Sequence, residues 1–198
     1  MESASQLSIT LLELADKKAT LALNGLSGAF GDVFWMFMSN KFVWIPLYLL
    51  IIYGFFRRLG WRRALLGILF AGLCIAACDQ CANLFKHGFC RMRPNQDAFM
   101  IERGLDVLEK GGLYGFFSGH AANSFAVATI YMVISQLSSH PRMRRWTAGL
   151  FVWAFLVSAS RIFVGKHFLG DVLVGATMGM LLTTIIWRAF KPLIYRVK

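Results

Sequence analysis

The stretch SRIFVGKHFLGD, residues 160–171, ends one long apolar run of this chain and begins the next. His167 and Asp171 lie four residues apart in it, so on a helix they share one face one turn apart, and the carboxylate can orient the imidazole. Such a pairing can make a histidine a nucleophile or a base. A structural ion-pair cluster explains the same residues equally well, so other parts of the chain must decide between the two.

The composition indicates an integral membrane protein. The 198 residues are 57% hydrophobic and 15% aromatic, and the mean hydropathy is +0.56, which is well above the values of soluble domains. The net charge of +11 could suggest a nucleic-acid partner. However, the basic residues occur in short groups between apolar runs, and no nucleic-acid-binding motif is present, so we exclude that class.

The apolar runs predict five membrane-spanning helices. Each run is near the length of about 20 residues that crosses a bilayer, and basic or aromatic residues flank the shorter ones. We therefore expect one domain over residues 1–198 with an all-α fold, a polytopic membrane helical bundle over residues 42–188. Gly175 and Gly179 have the spacing of a close helix contact, although a chance pair is as good an explanation. The expected spans are 42–56, 64–85, 121–137, 146–160 and 168–187.

Residues 5–38 predict a segment that lies on the membrane rather than through it. Residues 5–26 interleave leucines with charged side chains, which is typical of an amphipathic helix at the membrane interface. Gly25, Gly28 and Gly31 are expected to break this helix before a short aromatic segment.

The distribution of arginine and lysine predicts the orientation of the bundle. With five spans, the loops after the first and third spans and the C-terminal tail lie on one side, with eleven basic residues and no acidic ones. The positive-inside rule places this side in the cytoplasm. The connection 86–117 and the stretch 160–171 then face outward. The eleven residues are Arg57, Arg58, Arg62, Arg63, Arg142, Arg144, Arg145, Arg188, Lys191, Arg196 and Lys198.

The outer end of the second span is polar. Asp79, Asn83 and Lys86 fall on one helical face, and ionisable groups within a membrane are costly enough to suggest function. Asp79 and Asn83 could equally support Lys86 or form hydrogen bonds between helices. Arg93, followed by Pro94, lies shortly after this helix.

The third span is introduced by Ser118, Gly119 and His120. A serine and a glycine at a helix start offer a hydroxyl, free backbone N–H groups and the positive end of the helix dipole, which together favour an anion. Three helix ends thus bring cations, histidines and an anion site to one side of the membrane.

The order Lys-x6-Arg-Pro, Ser-Gly-His and Ser-Arg-x5-His-x3-Asp resembles the three signature motifs of the type 2 phosphatidic acid phosphatase superfamily. Here the motifs are carried by residues 86–94, 118–120 and 160–171. The family usually has a proline before Ser-Gly-His, where this chain has Phe117. The change affects the shape of the loop and not a ligand of the phosphate.

The resemblance implies a role for each matching residue. His167 would attack phosphorus to give a phosphohistidine, Asp171 would hold its tautomer, and His120 would protonate the leaving oxygen and later activate water. Ser160 would play a supporting role at the pocket edge. The phosphate would be bound by the side chains of Lys86, Arg93, Ser118 and Arg161 and the backbone N–H of Gly119.

The expected activity is therefore hydrolysis of a terminal phosphate from a lipid phosphate or diphosphate, without a metal or another cofactor. Undecaprenyl diphosphate is the first substrate expected, followed by lipid A phosphate and phosphatidylglycerophosphate. The loop 95–114 is expected to cover the pocket and choose the headgroup. A non-catalytic lipid-phosphate binding or transport protein and a vanadate-holding oxidase are the alternatives from other classes.

Overall fold

The computed structural model describes residues 4–138 and 141–197. Within them the regular structure is helical, apart from an isolated bridge between Met92 and Tyr114 and two short 3-10 turns, which confirms the predicted all-α class. The α-helices of the described residues are α1 (Ala4–Asn24), α2 (Ala29–Ser39), α3 (Ile45–Leu59), α4 (Trp61–Phe89), α5 (Ala98–Glu102), α6 (Gly119–Ser135), α7 (Pro141–Phe163) and α8 (Leu169–Arg196).

In the described part of the chain, four helical segments are long and apolar enough to cross a membrane: Lys41–Leu59, Trp61–Phe89, Met143–Phe163 and Leu169–Arg196. They correspond to four of the five expected spans. The remaining one is α6, which has 17 residues and is therefore about 26 Å long. This helix packs against α4, α7 and α8, and most of its side chains are buried, so it forms the centre of the bundle.

Two glycines bring α8 against the start of α6. A Cβ atom at Gly179 would lie 2.1 Å from the carbonyl oxygen of Ala122, and one at Gly175 would lie 2.5 Å from that of Ser118. No side chain fits at either position, so the glycine pair has a packing reason and is not a chance pair. The same contact carries a hydrogen bond of 3.0 Å from the backbone N–H of Ser118 to the carbonyl oxygen of Asp171.

The N-terminal segment forms two helices. The break between α1 and α2 includes Gly25 and Gly28, but Gly31 lies inside α2, so the prediction that it interrupts the helix was wrong. On α1, Leu12 is 72% exposed whereas Asn24 is 2% exposed. Leu11, Glu13 and Lys18 are exposed as well, and such a mixture of leucine and charged side chains is typical of a helix at the membrane interface.

The helix ends separate into two groups. The C-terminal ends of α4 and α7 and the N-terminal ends of α6 and α8 meet at one end of the bundle. At the other end, Arg63 donates from Nε to the carbonyl oxygen of Val197 at 2.7 Å, and joins the start of α4 to the end of α8. Among the eleven basic residues of the predicted cytoplasmic side, Lys198 and the side chain of Arg142 lie outside the described part of the structure.

Candidate active site

His167 lies in the turn between α7 and α8, and Asp171 lies in the first turn of α8. Both side chains are buried, and His167 Nδ1 is 3.4 Å from Asp171 Oδ2. Asp171 Oδ2 also accepts a hydrogen bond of 3.1 Å from the backbone N–H of Phe168, the residue before the helix. The spacing of four residues therefore joins the pair as predicted, although His167 precedes the helix instead of lying on it.

Arg93 lies on the other side of the imidazole. Its Nη1 is 3.3 Å from His167 Nε2, and its Nε donates to the carbonyl oxygen of Tyr114 at 3.0 Å. The carboxylate of Asp171 can only accept, so Nδ1 carries the proton and Nε2 presents its lone pair towards Arg93. Burial lowers the pKa of His167 to about 4, against the opposing effect of Asp171 and with further lowering by Arg93 and Arg161. The imidazole is therefore neutral at pH 7, and Nε2, its unprotonated nitrogen, faces the Arg93 guanidinium.

Arg161 occupies the end of α7 and is 2% exposed. Its Nη1 donates to Ser39 Oγ and lies 3.3 Å from Glu109 Oε2, while its buried Nε has no hydrogen-bond partner among the described residues. A buried guanidinium N–H without an acceptor needs one, so Arg161 retains a donor for an anion.

Glu109 bridges two cations from the connection between α5 and α6. Its carboxylate pairs with Arg161 and with Lys166, and it accepts a hydrogen bond of 2.9 Å from Ser39. Burial alone would raise the pKa of Glu109, but Lys166, Arg161 and Ser39 together lower it. A carboxylate thus holds two cations beside the histidine. Sequence reasoning assigned Glu109 only to the covering loop and gave Ser39 and Lys166 no role.

The start of α6 places the Ser-Gly-His motif in the same region. Ser118 is fully buried and caps the helix, with Oγ accepting from the backbone N–H of Ala121 at 3.4 Å. Gly119 is close to Lys86, because a Cβ atom there would lie 4.0 Å from Lys86 Nζ. His120 follows in the first turn, half-buried and within electrostatic range of Arg161 and His167.

The supporting residues proposed from the sequence lie in different places. Asp79 Oδ1 accepts a hydrogen bond of 2.8 Å from Asn123 Nδ2 on α6, so the structure favours its interhelical role. Asn83 is exposed on α4. Ser160 donates within its own helix to the carbonyl oxygen of Val157 at 2.6 Å, so its supporting role stays a prediction.

Helix α1 contributes residues that sequence reasoning missed. Asp16, Thr20 and Asn24 recur every four residues and form one polar line on the buried side of the helix. Asn24 Nδ2 donates to the carbonyl oxygens of Ile162 at 3.1 Å and Phe163 at 3.0 Å. These polar residues attach α1 to the stretch 160–171. Their spacing of four along a leucine-rich helix was the sequence pattern that could have predicted the contact.

Arg91 was also missed, although it lies within the Lys-x6-Arg-Pro motif. Its Nη1 donates to Asp171 Oδ1 at 2.6 Å and its Nη2 donates to Asp16 Oδ2 at 2.7 Å. Asp171 therefore accepts a hydrogen bond from Arg91 with Oδ1, while its Oδ2 faces the backbone N–H of Phe168 and the imidazole of His167.

A neutral buried histidine, a carboxylate behind it and several cations in front of it form a site suited to phosphoryl transfer. The family model of the PAP2 superfamily matches residues 63–195, which is most of the chain. This chain belongs to that superfamily, and it is a membrane lipid phosphatase.

Three characterised relatives support this assignment. The chain is 31% identical to the lipid A 4'-phosphatase of Bacteroides thetaiotaomicron, with 86% of this chain and 75% of the relative covered. It is 27% identical to the lipid A 4'-phosphatase of Porphyromonas gingivalis, with coverages of 88% and 72%. Phosphatidylglycerophosphatase B of Bacillus subtilis is 32% identical, with coverages of 70% and 63%.

Two solved structures share the fold. A PAP2-type phosphatidylglycerolphosphate phosphatase from Bacillus subtilis superposes with a TM-score of 0.69 at 23% identity, covering 95% of this chain and 88% of the other. LpxE from Aquifex aeolicus superposes with a TM-score of 0.63 at 26% identity, with coverages of 86% and 93%.

Proposed function

We propose that His167 is the nucleophile that removes a terminal phosphate from a lipid, and that the whole chain, residues 1–198, acts as one catalytic domain. The observation that carries this proposal is the position of the imidazole between Asp171 and Arg93. Nε2 attacks phosphorus and forms a phosphohistidine, while Asp171 keeps the proton on Nδ1 and stabilises the positive charge that develops on the ring.

The phosphate is bound by donors from three helix ends and from the connection that follows α4. Arg93 lies beside the attacking nitrogen, and the unpartnered Nε of Arg161 supplies a buried donor. Lys86 adds charge near the start of α6, where the Ser118 hydroxyl and the Gly119 N–H complete the set. These donors remain in place as charge develops on the phosphoryl oxygens, so they stabilise the transition state.

His120 acts as the general acid and then as the general base. It protonates the lipid oxygen as the ester P–O bond breaks. It then takes a proton from the water that cleaves the N–P bond of the phosphohistidine, which releases inorganic phosphate and restores His167. No step requires a metal, so we expect full activity in the presence of a chelator.

A groove of about 310 Å³ between α3, α4 and α6 supports a substrate with an apolar chain. It is lined mainly by isoleucine and aromatic side chains, and its lining includes Asn123, which is three residues, or about one helical turn, from His120. A lipid tail in this groove would bring its headgroup towards the cations at the helix ends.

We propose the 4'-phosphate of lipid A as the substrate. The names of two relatives support this choice, and in both cases more than two thirds of the relative is covered. Phosphatidylglycerophosphate is the second candidate, because a third relative is named for it. Undecaprenyl diphosphate, the first expectation from the sequence, stays a prediction.

A substrate panel tests this proposal. Purified protein in detergent micelles is given lipid A, phosphatidylglycerophosphate and undecaprenyl diphosphate, with and without a chelator, and inorganic phosphate is measured. We expect the highest kcat/KM with lipid A and no effect of the chelator. Faster hydrolysis of either other lipid would overturn the substrate assignment, and loss of activity with the chelator would overturn the metal-independent mechanism.

We further propose that the active site faces outward from the cytoplasmic membrane and that the C-terminus lies in the cytoplasm. The arginine-rich connections lie at the end of the bundle opposite His167, and the positive-inside rule supports this orientation.

A further inference from the structure

A chain of ion pairs connects α1 to the carboxylate behind His167. Arg91 Nη1 is 2.6 Å from Asp171 Oδ1, and Arg91 Nη2 is 2.7 Å from Asp16 Oδ2. We call this arrangement of Asp16, Arg91 and Asp171 the Arg91 bridge. One guanidinium is therefore shared between two carboxylates, of which Asp171 is fully buried and Asp16 is 15% exposed.

A second contact fixes Asp16 relative to the active site. Its Oδ1 accepts a hydrogen bond of 2.8 Å from the backbone N–H of Gly170, the residue before Asp171. A Cβ atom at Gly170 would lie 2.8 Å from Asp16 Oδ2, so a side chain there would displace the Asp16 carboxylate. Asp16 thus holds both the guanidinium that binds Asp171 and the backbone that carries Asp171.

Other residues fasten α1 without involving Arg91. Thr20 Oγ1 accepts from the backbone N–H of Leu169 at 2.9 Å, and Lys17 Nζ lies 2.8 Å from Asp97 Oδ2. Substitutions of Thr20 or Lys17 weaken the attachment of α1 without changing Arg91. They therefore separate the attachment of α1 from the effect of Asp16 on Arg91.

We propose that Asp16 is a positioning residue for the phosphatase reaction, which acts by sharing the charge of Arg91 with Asp171. A guanidinium paired with Asp171 alone would neutralise that carboxylate more fully. Since Asp16 takes part of the interaction, Asp171 retains negative charge for His167. That charge matters most in the transition state, because the imidazole becomes positive as Nε2 bonds phosphorus and the ester oxygen leaves with the bonding electrons.

The Arg91 bridge therefore acts on kcat rather than on substrate binding. Neither Asp16 nor Arg91 contacts the phosphate donors Arg93 and Arg161 in the hydrogen bonds of the described residues. Loss of an interaction that acts only in the transition state lowers kcat and kcat/KM equally and leaves KM unchanged.

The test uses the full chain with lipid A in detergent micelles, and it rests on the proposed function. Asp16→Asn is expected to lower kcat roughly ten- to a hundredfold with KM within about twofold, because a more fully neutralised Asp171 stabilises the positive imidazole less in the transition state. Thr20→Val removes a hydrogen bond of α1 to the same turn but leaves Arg91 untouched, and is expected to lower kcat less. Lys17→Met, which removes the α1 ion pair with Asp97, is expected to keep the activity of the unmodified protein.

A double-mutant cycle isolates the shared guanidinium. In an Arg91→Gln background, Asp16→Asn is expected to leave kcat unchanged, because the guanidinium whose charge Asp16 shares with Asp171 is absent. Gly170→Ala provides a second variant that displaces Asp16 while keeping its charge, and it is expected to reproduce the fall in kcat. The Tm of each variant shows whether it is folded.

Equal losses for Asp16→Asn and Thr20→Val, additive losses in the Arg91→Gln background, or a change confined to KM would each overturn this proposal. An unmodified protein that releases no phosphate would instead overturn the proposed function.

Discussion

Nη1 of Arg93 lies 3.3 Å from Nε2 of His167, on the side of the ring opposite Asp171. Asp171 holds the proton on Nδ1, so in the proposed mechanism Nε2 is the attacking nitrogen and Arg93 is the phosphate donor beside it. The two residues lie 74 positions apart in the sequence, and the bundle brings them together by joining the ends of α4 and α7.

Glu109→Gln is expected to lower KM. In the structure Glu109 pairs with Arg161 and Lys166, so its negative charge competes with the phosphate for these cations. A glutamine can still accept a hydrogen bond but no longer competes as an anion. We expect KM to fall by up to about fivefold, equivalent to the roughly 1 kcal/mol of a partly exposed ion pair.

Steady-state kinetics with increasing inorganic phosphate as a competing anion measure this effect. Glu102→Gln, on an exposed residue of α5, serves as the matched control. An unchanged or weaker affinity for phosphate in Glu109→Gln would show that Glu109 positions Arg161 and does not compete with the substrate.

The buried neutral state of His167 predicts an acid-sensitive fold. Its pKa is about 4 in the folded protein, below the ordinary value of 6.5, so the unfolded chain binds more protons between these values. The contribution of His167 to stability is therefore fully present above pH 6.5 and is lost as the pH falls towards 4. We expect the Tm of the unmodified protein to fall more between pH 6.5 and 4.5 than the Tm of His167→Gln. Equal decreases in the Tm of the two proteins would contradict a buried, neutral imidazole.

Because α8 and α6 are in close contact at Gly179, a side chain at this position is expected to lower the free energy of unfolding. Gly179→Ala places a methyl group 2.1 Å from the carbonyl oxygen of Ala122, so the two helices must separate. We expect a destabilisation of roughly 1–3 kcal/mol, the range of overpacked cores, measured by unfolding in detergent. Gly72→Ala on α4 is the control, because a Cβ atom there meets nothing within 4 Å. Equal Tm values for the two variants would contradict the close helix contact.

The cysteines offer a test of orientation. Cys90 is exposed at the active-site end of α4, whereas Cys74 and Cys78 are buried in the helix. In intact bacterial cells, we expect an impermeant maleimide to label the protein and Cys90→Ser to abolish this labelling. In that background, Arg58→Cys at the other end of the bundle should react only after the cells are permeabilised. Labelling of Arg58→Cys in intact cells would reverse the proposed topology.

The sequence predicted the parts of the site that lie in short motifs. Lys86, Ser118 and Arg161 each stand at a helix end and Arg93 follows α4 closely, so the order of the apolar runs was sufficient to bring them to the same side of the bundle. The predicted pairing of His167 with Asp171 needed only the spacing of four residues. The spacing of Gly175 and Gly179 on α8 was recognisable in the sequence. That both glycines pack against the backbone of α6 is known only from the structure.

The contacts that were missed join distant parts of the chain. Asp16 meets Arg91 across 75 positions, and Glu109 meets Arg161 across 52, so no local periodicity connects them. The Ser160 hydroxyl donates within its own helix, as a serine on a buried helical face often does, and its supporting role stays a prediction.

The central claim is that His167 carries the phosphoryl group, and trapping the intermediate tests it most directly. Protein mixed with lipid A bearing a ³²P-labelled phosphate is quenched in alkali within the first turnovers, because phosphohistidine survives base and is lost in acid. Peptides are then assigned by mass spectrometry. We predict acid-labile label on His167, no label in His167→Gln, and normal labelling of the exposed control His87→Gln. Label on His120, or phosphate release by His167→Gln at the rate of the unmodified protein, would contradict the account.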